Sequence, residues 1–168
     1  QAIGNYLKHL GGNKKVYYVT SERFMIDYVN SVQNNRGNVF KEKYRKYDVL
    51  IMDDVQFLSE KEKTQEELFH LFNNFYDNNK QIIFSSDKPP KHISGIEERL
   101  RSRLEGGMIV DVNKPDYESR LAILQAKVKL GNVMVSDEIL GYIANVIQDN
   151  IRELEGALNS IVCQSYLK

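Results

Sequence analysis

Apolar and polar positions change their spacing repeatedly along this 168-residue chain, and each change predicts an element. Residues 15–20 predict a strand, and 21–33 a helix with Phe24, Tyr28 and Val32 on one face. Asn34-Asn35-Arg36-Gly37 breaks that helix, and Val39, Phe40 and Tyr44 mark a short second one. Val49 to Met52 is an unbroken apolar run, the pattern of a strand covered on both faces in a parallel sheet. Thr64 and Glu67 form a capping-box pattern that opens a helix with Leu68, Leu71, Phe72 and Phe75 on one stripe. A strand over 81–85 is halted by Asp87 and Pro89-Pro90. Ser94 and Glu97 suggest a second capping box for a short helix ending near Arg103, and 108–112 predicts the last strand. Strands alternating with helices imply a parallel α/β architecture.

The character changes after Asn113-Lys114-Pro115. No further strand pattern appears, and three helices are predicted over 116–130, 136–147 and 150–166. Gly131-Asn132 stops the first of them, and Asn150 with Glu153 caps the third. The expected organisation is an α/β base over 1–114 and a small helical bundle over 115–168, with a hinge near Pro115. At the other end, residues 1–6 read as the tail of a helix that Gly11-Gly12 stops before the first strand.

The 49–52 strand ends in two adjacent carboxylates, Asp53 and Asp54. In parallel sheets ligands bind beyond the carboxyl ends of the strands. One carboxylate there can hold a nucleotide-bound Mg²⁺, and its neighbour can orient or deprotonate an attacking water. That is the Walker B half of a nucleotide site; the plainer alternative is a strand end followed by a turn that favours Asp. The other half, Gly-x-x-x-x-Gly-Lys-Ser/Thr, does not occur in the sequence. The phosphate-binding loop is therefore expected upstream of Gln1, and the chain by itself is not expected to hydrolyse ATP well.

Charge narrows the partners. With 23 basic and 23 acidic residues, no global field draws the chain onto nucleic acid, so any DNA contact comes from a local patch. The single cysteine, Cys163, cannot form an internal disulfide and is expected to be a buried small residue. No apolar run of membrane length is present, and a cytoplasmic location is the expectation. His9, His70 and His92 share no metal-binding spacing with each other or with Cys163, so nucleotide-bound Mg²⁺ is the one metal expected.

Three further places carry candidate chemistry. Phe84-Ser85-Ser86-Asp87 ends the next strand and sets a polar group beside Asp53-Asp54, although Ser, Asp and Pro also favour turns there for their own reasons. Arg99 and Arg103 are four apart and share a helix face, with Arg101 pointing away. Such a pair can reach phosphates of a neighbouring subunit, or can be a solvated face paired with Glu97, Glu98 and Glu105. Arg152 lies in the first turn of the last helix, where the macrodipole disfavours a cation, and a nearby anion would offset that.

These segments together resemble the DnaA family of bacterial replication initiators. The resemblance rests on Ser21-Glu22-Arg23-Phe24, Gln33-Asn34-Asn35, Tyr44-Arg45, Asp53-Asp54-Val55-Gln56-Phe57 and the run from Lys61 to Glu67. It continues through Ser85-Ser86-Asp87-Lys88-Pro89-Pro90-Lys91, Glu98-Arg99-Leu100-Arg101-Ser102-Arg103 and Asn150 to Leu158, in order and nearly end to end. It implies a P-loop NTPase-like AAA+ core with a C-terminal three-helix lid, and ATP with Mg²⁺ as ligands. By resemblance Asp53 and Asp54 are the Walker B pair, with Asp53 toward the Mg²⁺, and Asp87 is sensor 1. Arg103 is an arginine finger that reads ATP on the adjacent protomer, with Arg99 supporting it, and Arg152 is sensor 2. Glu22 falls near the nucleotide, and Val29 and Lys63 match positions that touch single-stranded DNA.

The function so implied is an ATP-dependent assembly module that oligomerises as a filament on origin DNA and opens it at the start of chromosome replication. The replicative helicase is an implied partner through regions outside this sequence. Leu104-Glu105 departs from the family pattern, which has Phe and an aromatic or polar residue there. Two other readings use the same residues: a regulator or helicase loader built on the same core, and a non-hydrolysing interaction module. A basic helix-turn-helix downstream favours the initiator, whereas the missing phosphate loop favours the interaction module.

Overall fold

A computed structural model of the chain describes residues 2–9 and 14–166. The apolar run after Asp48 forms β2 (Val49–Asp53), the middle strand of a three-stranded sheet with β1 (Val16–Thr20) and β3 (Gln81–Phe84) on either side. Both pairings are parallel, with Tyr18 opposite Ile51, Thr20 opposite Asp53 and Met52 opposite Phe84. Parallel neighbours need helical crossovers. Here α2 (Ser21–Gln33) and α3 (Gly37–Arg45) lie between β1 and β2, and α4 (Glu62–Asp77) lies between β2 and β3.

Alternation along the strands assigns the two sheet faces. Val19, Leu50 and Met52 point to one face and join Phe24, Phe40, Tyr44, Leu68, Leu71, Phe75 and Leu100 in one buried cluster. Phe24, Phe40 and Tyr44 pack their rings 4.9–5.3 Å apart, which seats α2 and α3 on the sheet. The opposite face carries Ile51, and α1 (Ala2–His9) meets it through Gly4, where a Cβ would come 3.2 Å from Ile51 Cδ1. The Gly11-Gly12 stop lies outside the described residues. Val32, expected on one face with Phe24 and Tyr28, and Val39, expected to mark the next helix, are exposed, whereas their chain neighbours Ser31 and Phe40 are buried.

The chain divides into two compact units, 1–109 and 110–168, a break five residues ahead of the expected boundary. The second unit holds α6 (Tyr117–Gly131), α7 (Asp137–Val146) and α8 (Ile151–Tyr166) around Leu124, Leu140, Ile143, Leu154 and Leu158. Asp116 caps α6 by accepting from Ser119 N at 2.8 Å, and Asn132 ends it in the left-handed region at φ 49°. Arg120 is buried and spends its guanidinium on the Ala144 and Pro115 carbonyls, each at 2.8 Å. Asn150 Oδ1 accepts from Arg152 N at the start of α8, as its position suggests. Cys163, expected to be buried, is exposed on α8. Among the described residues no helix is long and apolar enough to cross a membrane.

Three local expectations are corrected. Residues 108–112 are not a strand: neither they nor any neighbour extend the ladder, and Met108 and Val112 are 93% and 95% exposed. An apolar run supplies strand propensity, but a strand forms only where a partner edge accepts its hydrogen bonds. Neither capping box forms. α4 begins at Glu62 with Lys61 as its cap, which leaves Thr64 buried inside the first turn. α5 (Glu98–Glu105) begins after Glu97, while the Ser94 carbonyl accepts from Ser59 Oγ at 2.6 Å.

A buried amide fixes the start of α5 instead. Gln65, fully buried on α4, donates to Leu58 O at 2.8 Å and to Gly95 O at 2.7 Å, and accepts from Glu97 N at 2.7 Å. Gly95 is left-handed at φ 67°, and a Cβ there would come 2.5 Å from Ser59 Oγ, so the turn admits only glycine. Gln65→Leu keeps the volume but strands the buried Leu58 carbonyl and removes one bond each from the half-buried Glu97 N and from Gly95 O, which keeps its bond from Glu60 N, an expected cost of roughly 1–3 kcal/mol. The urea midpoint measures it, and an unchanged midpoint would mean that water replaces the amide.

A second tie joins α2 to α3. Asp27 accepts from Lys43 Nζ at 2.5 Å and Tyr44 Oη at 2.8 Å, with Arg23 3.2 Å away. Burial alone pushes the Asp27 carboxyl up; the hydrogen bonds from Lys43 and Tyr44, then the charges of Lys43 and Arg23, outweigh it and hold it below 3.8. A depressed folded value contributes stability that is complete above the unfolded value and lost as pH falls through the folded one. Asp27→Asn should therefore lower the melting temperature at neutral pH, with the gap to the parent closing on acidification below 3.8. Melting curves across that range check it; a gap that persists at strongly acidic pH contradicts the tie.

Candidate functional site

Parallel pairing brings the carboxyl ends of β1, β2 and β3 to one edge of the sheet. Alternation then sets Tyr18, Asp53 and Ser85 on the same side there, since Tyr18 pairs with Ile51 and Ser85 follows Phe84. Their side chains meet. Tyr18 Oη donates to Asp53 Oδ2, and Ser85 Oγ donates to Asp53 Oδ1. The Ser85 hydroxyl also accepts from Asp54 N at 3.2 Å, and Ser85 N donates to Met52 O at 3.0 Å, so the turn after β2 is held against β3.

The electrostatics follow from those donors. The hydrogen bond from Ser85, then that from Tyr18, hold the Asp53 carboxyl below its ordinary range. Its bond to Asp53 is the largest cause that pushes the Tyr18 phenol up to about 12. Asp53 is thus an anion, and Tyr18 a neutral donor, throughout the physiological range. An ionised carboxylate at a strand end is a hard oxygen ligand of the kind Mg²⁺ uses, one or two per ion, with phosphate and water completing the octahedron. Among the described residues no cluster of three or more His, Cys, Asp or Glu could hold a metal ion by itself.

Asp54 has a different environment. Its backbone is left-handed, at φ 59° and ψ 50°, which turns the chain sharply out of β2 into the short helical turn Val55–Leu58. Ser21 Oγ donates to its carbonyl at 2.6 Å, and Gln56 Nε2 donates to its carboxylate at 3.0 Å. Asx residues tolerate this conformation better than others do, which is one reason an acid stands there.

The other sequence-predicted residues fall as follows. Asp87 is exposed in the bend three residues beyond β3, at the same end of the sheet as Asp53. The residue of its run that touches Asp53 is Ser85. Glu22 is exposed in the first turn of α2, directly after β1. Val29 on α2 and Lys63 in the first turn of α4 are both exposed on the first unit. Arg152 is exposed in the first turn of α8, in the second unit.

Arg99 and Arg103 share a face of α5, as their spacing requires. Arg99 pairs with Glu97 at 2.7 Å and lies 5.2 Å from the Phe69 ring centroid. Arg103 lies 5.9 Å from the centroids of both Phe69 and Phe72 and is exposed. Among the described residues no carboxylate stands within 4.0 Å of its guanidinium; Glu98 pairs with Arg101 instead. Arg101, on the other face, donates to the Ile93 and Ile96 carbonyls. Sequence reasoning missed Tyr18, because only the pairing register reveals that it sits diagonal to Asp53. Phe72 was legible as part of a helical stripe, but neither it nor Phe69 as a platform for arginines.

A family model described as the bacterial DnaA ATPase domain matches residues 1–111. The chain is 52% identical over 166 residues to the chromosomal replication initiator protein DnaA of Thermoanaerobacter sp. (strain X514), covering 99% of this chain and 38% of that protein. It therefore spans well under half the length of that relative. Among solved structures it is similar to domain III of the Thermotoga maritima replication initiation protein DnaA, at TM-score 0.95 and 38% identity over 99% of this chain and 70% of that one. It is also similar to a replication initiator DnaA bound to AMPPCP and single-stranded DNA, at TM-score 0.83 and 38% identity over 95% of this chain and 49% of that one.

The two donors on Asp53 are unequal. Ser85→Ala should raise the carboxyl of Asp53 more than Tyr18→Phe does, because the serine bond contributes most to its depression. Carboxyl-detected NMR titration of the three proteins reads this directly. A parent Asp53 that titrates at or above 3.8 would contradict the geometry.

Proposed function

This chain belongs to the bacterial DnaA ATPase domain family, and from that premise we propose that it is the ATP-switched assembly module of a replication initiator. In this reading a nucleoside triphosphate binds at the carboxyl ends of β1 to β3, and a neighbouring copy senses it. The resulting filament forms on origin DNA and opens it, with Val29 and Lys63 toward the single strand. A related initiator carrying AMPPCP and single-stranded DNA supports both ligand classes.

The roles follow the chemistry of each group. Asp53, held by two hydroxyls, faces the cation; Mg²⁺, when bound, supplies neutralisation of charge on the β- and γ-phosphate oxygens. Asp54, turned out of the strand, orients the attacking water, and Glu22 flanks the nucleotide. Asp87 and Arg152 are assigned to reading the γ-phosphate. Arg99 steadies the face from which Arg103 reaches the neighbour's ATP. The sequence itself holds no phosphate-binding loop, so tests require a parent protein that carries one.

The single observation that carries this reading is Arg103: exposed, without a carboxylate partner among the described residues, and propped on two aromatic rings. Its neighbours Arg99 and Arg101 are each paired, with Glu97 and Glu98. In a phosphate-loop-complete parent, Arg103→Ala should leave ATP binding by the monomer nearly unchanged and abolish ATP-dependent oligomers. Loss of an arginine supplied in trans can cost ~10³ or more in phosphoryl-transfer rate. Nucleotide affinity and oligomer size, measured side by side, separate the readings; weakened monomer binding with intact assembly would place Arg103 in its own site.

A further inference from the structure

Tyr18 carries a polar group to the proposed site from a strand whose other side-chain hydroxyl at that end, Thr20, is spent on capping α2. It stands on β1, and the residue is 39% exposed, so burial alone does not demand a hydroxyl at this position. A phenylalanine would fill the same space. Yet the phenol is committed: it donates to Asp53 Oδ2 while Ser85, from the strand on the other side, donates to Oδ1.

The geometry of that pair has a consequence for the carboxylate. Rotation about its terminal torsion is broad in the absence of partners. One donor would restrain that torsion at a single oxygen; two donors, one per oxygen and from strands on opposite sides, fix the plane. The two oxygens together accept about four hydrogen bonds, so acceptor capacity remains free after the two hydroxyls and a minor bond from the Asp54 backbone are placed. Hydrogen bonds to an ionised acceptor are about twice as strong as neutral ones, so exchange of the phenol for water is disfavoured.

We infer that Tyr18 is a positioning residue: together with Ser85 it sets the plane of the Asp53 carboxylate, so that its free acceptor directions face the hydrated divalent cation of a bound nucleoside triphosphate. This rests on the assignment of Asp53 to that cation. Outer partners that orient a ligating group typically change metal affinity by about 10-fold or more when removed. The alternative is that the phenol competes with the cation's water shell for Oδ2, and its removal then has the opposite sign.

The test uses a phosphate-loop-complete parent and a fluorescent ATP analogue. Affinity is measured with Mg²⁺ and in EDTA, and the Mg²⁺ concentration for half-maximal binding is titrated in the presence of the analogue. Tyr18→Phe should raise that concentration about tenfold and shrink the ratio between the two affinities. Ser85→Ala should move both quantities the same way. A purely structural role would weaken both affinities together and leave their ratio intact, which overturns the inference, as would an unchanged or lowered Mg²⁺ requirement. Asp53→Asn is the reference: loss of the Mg²⁺ response with a normal Tyr18→Phe titration refutes the role of Tyr18 alone. A full Mg²⁺ response in Asp53→Asn removes the Asp53 assignment, and the inference about Tyr18 falls with it.

Discussion

The parallel register of β2 between its two neighbours is the constraint on which everything at the site depends. Val49, Leu50, Ile51 and Met52 are all buried, so the strand has no solvent face on which to slip. A shift of one residue would exchange the two faces, sending Asp53 toward the core and Met52 toward the site. With the register as it is, Tyr18 lies diagonal to Asp53 and Ser85 follows Phe84, the partner of Met52, which delivers the two hydroxyls of Tyr18 and Ser85 to one carboxylate. Burial of four apolar side chains therefore decides where a charge stands.

A second constraint works at longer range through α4. Its buried stripe docks the helix on the sheet, while Gln65 at its start ties the turn after β2 to the loop that introduces α5. The same helix offers Phe69 and Phe72 to Arg99 and Arg103. Exposed cation–π contacts are worth only about 0.5–1 kcal/mol, enough to bias a rotamer and too little to consume the charge. Arg103 thus keeps its hydrogen-bonding capacity for a partner, whereas Arg101 has given its donors to backbone carbonyls. Three arginines on one short helix are separated in role by which face they occupy.

Much of this was legible in the linear order of residues. The strand ending in Asp53-Asp54 follows from its unbroken apolar run, and the helix stripe through Leu68, Leu71 and Phe75 and the shared face of Arg99 and Arg103 follow from a period of 3.6. So does the shift to an all-helical segment after Pro115. Those patterns are local, and local patterns survive folding when burial agrees with them. The resemblance of whole motifs extended the picture to fold and family in a way that single residues did not.

What the sequence could not determine is what depends on pairing across distance. The apolar run at 108–112 has the composition of a strand but no hydrogen-bonding edge, so it forms none. Thr64 and Ser94 have the chemistry of caps, yet a buried amide at Gln65 sets the start of α5, and burial takes Thr64 inside α4. Tyr18 looked like one more aromatic on a strand, and only the register reveals it as a donor to an acid 35 positions away. Propensity and periodicity are properties of neighbours in the chain; hydrogen-bond partners of a sheet end are neighbours in space, and the packed core chooses them.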